Sequence, residues 1–413
     1  MFIFRLLWQA MLVIYGFYPH RGSGYPGTEV ADVKNLKEAC EVKALRFYRS
    51  AALISVAALA LTACGSDNAT QTDAGAEGNT AAAASSVSGT LTGIGASSQK
   101  AAMEAWKVGF EELNPESKVQ YSPDGSGAGR KAFLSGGAQF AGSDAYLKDE
   151  EMEAAKEVCG PDGALNIPAY ISPIAVAFNL GDVKELNLDA ATIAKIFTGE
   201  IKKWNDPAIA AQNEGTELPD TTITVVHRSD ESGTTENFVD YLSAAAPKTW
   251  TYEVSGDWPT DIQSENAKGT SGVISTTTAT DGAITYADAS AVGNLGQVKV
   301  KVGEEYVALN SEAAAKAVEV ATPVEGRSDL DMSLDLKRDT TESGAYPIVL
   351  ISYHLYCTQY EDQSTVDLVK AFGSYVISEE GQADAADSAG NAPISDSLRE
   401  DAQKAIDSIK ASS

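Results

Sequence analysis

Between residues 222 and 226 polar and apolar side chains alternate, Thr222-Ile223-Thr224-Val225-Val226, and this period predicts a β-strand. A polar turn follows, His227-Arg228-Ser229-Asp230-Glu231-Ser232-Gly233-Thr234. Beyond it Phe238, Tyr241 and Leu242 share one face of a predicted helix for which Ser232 is the N-cap. A helix start with unpaired N–H groups, two hydroxyls (Ser232, Thr234) and the Arg228 guanidinium four residues before the cap forms an anion cradle. An ordinary capped helix after a strand has the same pattern, so this segment alone leaves both readings open.

The arrangement recurs twice upstream. Residues 88–91 read as a strand, Gly93-Ile94-Gly95-Ala96-Ser97-Ser98 as a small-residue loop, and Met103, Trp106, Phe110 and Leu113 fall at helical spacing. After a turn at Asn114-Pro115, residues 118–122 read as the next strand. Gly125-Ser126-Gly127-Ala128-Gly129-Arg130 then opens a short helix through Phe133 and Leu134, its glycines allowing close approach of backbone N–H groups to a ligand. A third strand near residues 139–141 delivers Gly142-Ser143-Asp144. The β-α-β-α-β order predicts a mainly parallel sheet with ligands at the strand C-termini. Nucleotide binding is disfavoured: Arg130 stands where a dinucleotide fingerprint requires glycine, and no Gly-Lys pair exists for a P-loop.

The chain is 413 residues long, enough for two domains with sizeable cores. Its front end belongs to neither. Lys43, Arg46 and Arg49 form a basic n-region, residues 51–60 an apolar h-region, and Leu61-Thr62-Ala63-Cys64 a lipobox, so Cys64 is the expected lipidated N-terminus of the mature protein. The apolar run is shorter than the ~20 residues that a bilayer span needs. Residues 2–18 form another apolar stretch ahead of this complete signal, interrupted by Arg5 and Gln9. We therefore expect translation to begin near Val42, which would leave Cys40 without meaning; a precursor mass that includes the 41 upstream residues would contradict this. Residues 65–86 are rich in Ala, Ser, Thr, Gly, Asn and Asp, without apolar periodicity, and read as a flexible tether.

Without the first 63 residues the chain holds 24 Lys plus Arg against 54 Asp plus Glu, a net charge of −30. Such a field repels nucleic acid and anionic headgroups, so local dipoles and hydrogen bonds must hold any anion. Cys159 and Cys357 are an even pair in a compartment expected to be oxidising, and read as a disulfide. Together with the isolated His227 and His354 they supply no cluster of metal ligands, and no metal or cofactor is expected.

The chain resembles the phosphate-binding lipoproteins that feed phosphate-specific ABC importers, from about Gly89 to the C-terminus. The resemblance rests on Thr92-Gly93-Ile94-Gly95-Ala96-Ser97, Gly125-Ser126-Gly127-Ala128-Gly129, Gly142-Ser143-Asp144-Ala145 and Gly199-Glu200-Ile201-Lys202-Lys203-Trp204-Asn205-Asp206-Pro207-Ala208-Ile209. Arg228-Ser229-Asp230-Glu231-Ser232-Gly233-Thr234 and Gly282-Ala283-Ile284-Thr285-Tyr286 complete it. It implies an α/β periplasmic-binding-protein fold of two lobes with the ligand cleft between them. Lobe one would hold residues 88–170 and 345–413, and lobe two residues 171–344, the chain returning through a buried strand near residues 347–353. On that layout the Cys159–Cys357 bridge staples lobe one without restraining closure.

Carried over residue by residue, the resemblance assigns ligand contacts to Ser97, Ser98, Ser126, Asp144, Arg228, Ser232, Gly233 and Thr234, with Asp230 orienting Arg228. Ser98 stands where an aromatic residue is common, which leaves a backbone contact intact but puts a side-chain role in doubt. Asp144 is the specificity element. Phosphate near neutral pH still carries a proton to donate to a carboxylate, whereas sulfate would leave a buried acceptor unpaired beside a like charge. The function implied is a monomeric, extracytoplasmic, lipid-anchored receptor that binds inorganic phosphate and hands it to membrane permease subunits. A secreted phosphatase or serine hydrolase using Ser232 is the competing reading. It lacks a Gly-x-Ser-x-Gly elbow and leaves His227 and His354 as the histidine bases. A third reading keeps the fold but takes sulfate or another oxyanion.

Overall fold

The computed structural model describes residues 87–412. The expected translation start, signal segment, lipidated Cys64 and tether lie outside the described residues. The chain opens with β1 (Gly89–Gly95), α1 (Lys100–Leu113), β2 (Ser117–Ser122), α2 (Ser126–Leu134) and β3 (Phe140–Ser143), in the β-α-β-α-β order read from the pattern. β1 lies between β2 and β3, parallel to both. Helix α1 buries Ala102, Met103, Trp106 and Phe110, while Leu113, at its last position, is exposed. The stretch Gly93-Ile94-Gly95, read as loop, is strand. A side chain at Gly95 would put its Cβ 2.0 Å from the Gly142 carbonyl oxygen, so the glycine permits β1 and β3 to stay paired to their ends.

Helix α3 (Asp149–Cys159) leads into β4 (Ala164–Phe178), buried along all 15 residues. The second lobe then comprises β5 (Glu185–Leu188), α4 (Ala190–Phe197), α5 (Pro207–Ala210), β6 (Thr224–Arg228), α6 (Gly233–Ala245), β7 (Glu265–Ala267), α7 (Gly269–Ala279) and β8 (Ala283–Asp288). It continues with β9 (Gly296–Val302), β10 (Glu305–Val307), α8 (Ser311–Val318) and the short ladder of β11 (Thr322–Pro323) with β12 (Leu334–Asp335). Strand β13 (Val349–Cys357) returns to the first lobe, where β14 (Gln359–Tyr360), α9 (Gln363–Ile377), α10 (Glu379–Ala389), α11 (Asp396–Asp407) and β15 (Lys410–Ala411) close the chain. The strand expected from Thr222 begins at Thr224; Thr222 makes an isolated bridge to Lys203.

One eleven-stranded sheet joins both lobes, with a path β2-β1-β3-β13-β4-β8-β6-β7 and β9, β5 and β10 branching from β4. Each lobe holds a parallel set of strands: β1, β2 and β3 in the first, β6, β7 and β8 in the second. The connection is antiparallel, because β4 leaves the first lobe and β13 comes back, and it corrects the expectation of a mainly parallel sheet. The prolines of β4 fall where ladder bonds are interrupted. Pro168 adjoins a bulge in which Ala169 is the extra residue, its carbonyl accepting from Gln382 Nε2 at 3.0 Å, and Pro173 marks the change of partner from β13 to β8.

A single apolar cluster runs through both lobes. Trp106 of α1 is fully buried and donates its indole N–H to the Gly381 carbonyl at 2.7 Å. Trp204 does the same in the second lobe, donating to Gly282 at 3.0 Å, so two of the sequence motifs brace one another and not a ligand. A Cys159–Cys357 disulfide links the end of α3 to the end of β13, as parity and compartment suggested. Among the described residues no helix is long and apolar enough to cross a membrane.

Candidate functional site

The C-terminal ends of β1, β2, β3, β6 and β7 converge on one point of the cleft, as the parallel order of each half requires. From the first lobe come Ser97 and Ser98 after β1, Ser126 at the first turn of α2, and Asp144 after β3. From the second come Arg228 at the end of β6 and Ser232-Gly233-Thr234 at the start of α6. All eight residues are buried, Asp144 and Arg228 to 3% exposure each.

Asp144 is held from several directions. Oδ1 accepts from Ser98 Oγ at 2.6 Å and Ser352 Oγ at 2.5 Å, and Oδ2 accepts from Thr234 Oγ1 at 2.8 Å. Its backbone N–H donates to Ser126 Oγ at 3.1 Å, and its carbonyl accepts from Asn237 Nδ2 at 2.7 Å. The Thr234 and Asn237 bonds come from α6 and therefore tie the lobes together. The approach is close because position 233 is glycine: a Cβ there would lie 2.7 Å from both the Asp144 Cβ and Ser126 Oγ. Ser97 closes the other side of the cleft, its Oγ accepting from the Thr270 N–H at 3.0 Å and pairing with Thr270 Oγ1 at 2.9 Å.

Arg228 forms a fork with Asp230, Nε to Oδ1 at 2.9 Å and Nη2 to Oδ2 at 2.5 Å. Gly269 N–H also donates to Asp230 Oδ1 at 2.9 Å. Burial alone would raise the Asp230 carboxyl, but the hydrogen bond and charge of Arg228 outweigh it and hold it below its ordinary value. The fork uses one edge of the guanidinium and leaves Nη1 for other acceptors. Ser232 caps α6 as expected, Oγ accepting from the Thr235 N–H at 3.2 Å. The N–H groups of the first turn then have no acceptor within the helix. Together these groups place donors and positive charge at the start of α6, the helix whose Thr234 and Asn237 bond to Asp144.

Salt bridges seal the rim. Glu231 pairs with Arg130 at 2.7 Å and with Lys131 at 2.7 Å, and Lys268 with Asp124 at 2.9 Å, all across the lobes. The Arg130 that disqualifies a dinucleotide fingerprint is thus a closure contact. The two histidines are committed elsewhere. His227 donates through Nδ1 to the Arg228 carbonyl at 2.7 Å and stacks on Trp258. His354 is fully buried, and burial lowers its imidazole to about 3. Neither hydrogen-bonds to Ser232, whose hydroxyl serves the cap. A cavity of about 260 Å³ adjoins Asp144; on its walls Arg338 pairs with Asp240 and Asn237 and Tyr146 with Asp335 at 2.8 Å, while Glu236 Oε2 has no hydrogen-bond partner. Among the described residues no group of His, Cys, Asp and Glu is arranged to hold a metal ion.

Sequence reading missed Ser352, Thr270 and Asn237, each bonded to a predicted residue, and Gln99, which reaches them through Ser352. One signal was present. Ser352 directly follows the apolar run Pro347-Ile348-Val349-Leu350-Ile351, and a small polar group in a buried strand needs a partner. Thr270 and Asn237 had no such signal.

A model of the PBP superfamily domain matches residues 80–380. Phosphate-binding protein PstS2 of Mycobacterium bovis is 35% identical over 374 residues, covering 88% of this chain and 100% of that protein. Phosphate-binding protein PstS 3 of Mycobacterium leprae is 34% identical over 373 residues, covering 89% and 100%. Among solved structures, a phosphate-binding protein from Stenotrophomonas maltophilia superposes with a TM-score of 0.59 at 20% identity, covering 76% of this chain and 93% of its own. A high affinity periplasmic phosphate-binding protein solved with phosphate at pH 8.5 gives 0.61 at 21% identity, covering 76% and 92%. At these identities the structures establish the two-lobed fold.

Proposed function

The chain belongs to the PBP superfamily, in the family of the PstS phosphate-binding proteins, and on that footing we propose that it binds inorganic phosphate between its lobes and delivers it to the permease of an ABC transporter. The observation that carries the proposal is the buried Asp144 carboxylate bonded to Thr234 at the start of α6, the helix whose cap follows the buried Arg228 by four residues. A ligand suited to both must be an anion that still has a proton to give. Phosphate at neutral pH meets that condition and sulfate does not.

In this reading Arg228 and the N–H groups of Gly233 and Thr234 neutralise the oxygens, Ser97, Ser98, Ser126 and Ser232 add hydroxyls or backbone donors, and Asp230 holds the guanidinium in place. The lobes divide as residues 88–170 with 345–413, and 171–344. The protein works as a monomer outside the cytoplasm, anchored through a lipid on Cys64. It performs no chemistry on its ligand: Ser232 is a helix cap, and both histidines are bonded elsewhere.

Calorimetric titration of the purified protein with phosphate and with sulfate at neutral pH tests the reading. One-to-one phosphate binding, lost in Asp144→Ala and absent for sulfate, is the expected result. Sulfate binding as tight as phosphate binding, or release of phosphate from an ester by the protein, would overturn it. Labelling with radioactive palmitate, abolished in Cys64→Ala, tests the anchor separately.

A further inference from the structure

Behind Asp144, away from the cleft, five side chains from three segments form one hydrogen-bonded chain in the first lobe. Tyr356 Oη lies 3.0 Å from His354 Nδ1, and His354 Nε2 lies 3.1 Å from Gln99 Oε1. Gln99 Nε2 lies 2.6 Å from Ser352 Oγ, which in turn lies 2.5 Å from Asp144 Oδ1. Gln99, Ser352 and His354 are each buried to within 1% of full burial, so water does not supply alternative partners.

Every proton in this chain has a forced direction. Gln99 Nε2 also faces the Tyr353 carbonyl oxygen at 3.3 Å, which only accepts, so the amide must present its NH₂ on that side and its oxygen to His354. The oxygen in turn requires a proton on His354 Nε2. Because burial keeps His354 neutral, its Nδ1 is a lone pair and accepts from Tyr356. Ser352 Oγ receives the Gln99 N–H, and its single hydrogen points at Asp144 Oδ1.

We propose that Gln99 and Ser352, oriented by His354, are positioning residues that make Asp144 a one-sided acceptor. Ser352 and Ser98 together fill Oδ1 with two hydroxyl donors, whereas Oδ2 accepts only from Thr234 of α6 and keeps a second lone pair for the ligand's proton. Selection for a protonated oxyanion is then built into the first lobe before the lobes close. Ser98 in place of a larger side chain is part of the device, since its hydroxyl is the second donor. This deepens, and rests on, the phosphate-binding reading above.

The test reverses one link. In Gln99→Glu both side-chain oxygens accept, so the Ser352 hydroxyl turns toward position 99 and Oδ1 loses a donor. Phosphate affinity is expected to fall by roughly 10–100-fold, the scale of a hydrogen bond to a charged group, and the phosphate-to-sulfate ratio to shrink with it. Ser352→Ala should show the same loss and Ser352→Thr, which keeps the hydroxyl, should restore affinity. Selective ¹⁵N labelling of histidine reads the chain independently of ligand: His354 in the unaltered protein should be the Nε2–H tautomer.

The unaltered protein is titrated first, and a failure to bind phosphate there overturns the function, not the chain. Phosphate binding that Gln99→Glu and Ser352→Ala leave unchanged overturns the positioning role. So does an Nδ1–H tautomer of His354, or Ser352→Thr no better than Ser352→Ala. Should Gln99→Glu fail to fold, the Ser352 pair and the tautomer decide alone.

Discussion

The loop after β3 brings a carboxylate whose acceptors face three hydroxyls, from Ser98, Ser352 and Thr234, while the end of β6 brings a guanidinium held by another carboxylate and followed by a helix start. Both are buried to the same extent. They differ in what they ask of a ligand. The second-lobe side offers donors and positive charge, which suit any small oxyanion. The first-lobe side offers an acceptor, which repels every anion except one that carries a proton to share. On the proposed reading, affinity is concentrated in one lobe and selection in the other, and the inter-lobe contacts of Glu231, Lys268 and Thr234 bring the two together.

The most severe way to break this division is Arg228→Ala. It removes the charge and leaves Asp230 buried without its partner, and truncation of such a pair costs about 2–5 kcal/mol, so phosphate affinity should fall by roughly 10²–10³-fold or more in calorimetry. Any residual sulfate affinity should fall alongside, because this side does not discriminate. Asp144→Asn acts on the other side. By giving the site a donor where it had an acceptor, it should lower the phosphate-to-sulfate ratio by about 10²-fold, from loss of one pairing and relief of one unpaired buried acceptor. Parallel changes for both anions in Asp144→Asn would mean that the carboxylate shapes the site without reading the proton.

Asp288, at the end of β8, supplies a further contrast, since it is a buried carboxylate outside the ligand cluster. Burial raises it to about 6 despite hydrogen bonds from Ser290, and the charge of Asp144 adds to the rise. Tyr170 Oη donates to both its oxygens at 3.0 Å. A folded-state value above the unfolded one means that the folded protein holds this proton longer. The Asp288 contribution to stability should therefore decline as pH rises from about 4 to about 6 and stay flat above, an effect on the order of 3 kcal/mol. Thermal unfolding of Asp288→Asn against the unaltered protein across that window should show the slope disappear; a slope of opposite sign would refute the assignment.

The smallest effect belongs to the rim. Glu231→Gln weakens two cross-lobe ion pairs, one of them to the buried Arg130, and should reduce the affinity for phosphate by about fivefold, about 1 kcal/mol, without altering selectivity. A selective effect would move Glu231 from closure to recognition.

Much of the ligand-facing half was legible in the chain. The β1-α1-β2-α2-β3 order, the Ser232 cap and the pairing of Cys159 with Cys357 follow from local period, capping chemistry and parity, none of which needs distant partners. Boundaries shifted where tertiary contact extended a strand, as at Gly95, which pairs with Gly142 because neither has a side chain. The antiparallel connection was not legible, because strand direction in a sheet depends on where the chain returns. Pro168 and Pro173 reveal their purpose only once the bulge and the change of partner are seen.

By itself the sequence determined an α/β chain, the helix starts after its strands, and the carboxylate and the guanidinium that lie at those strand ends. It did so because caps, glycine turns and strand period act over a few residues. The tertiary structure decided which groups orient those residues. Gln99 and Ser352 are 253 positions apart, yet their hydrogen bond sets which way a proton points at Asp144. Such polarity is a property of buried neighbours brought together by the sheet, and no local rule encodes it.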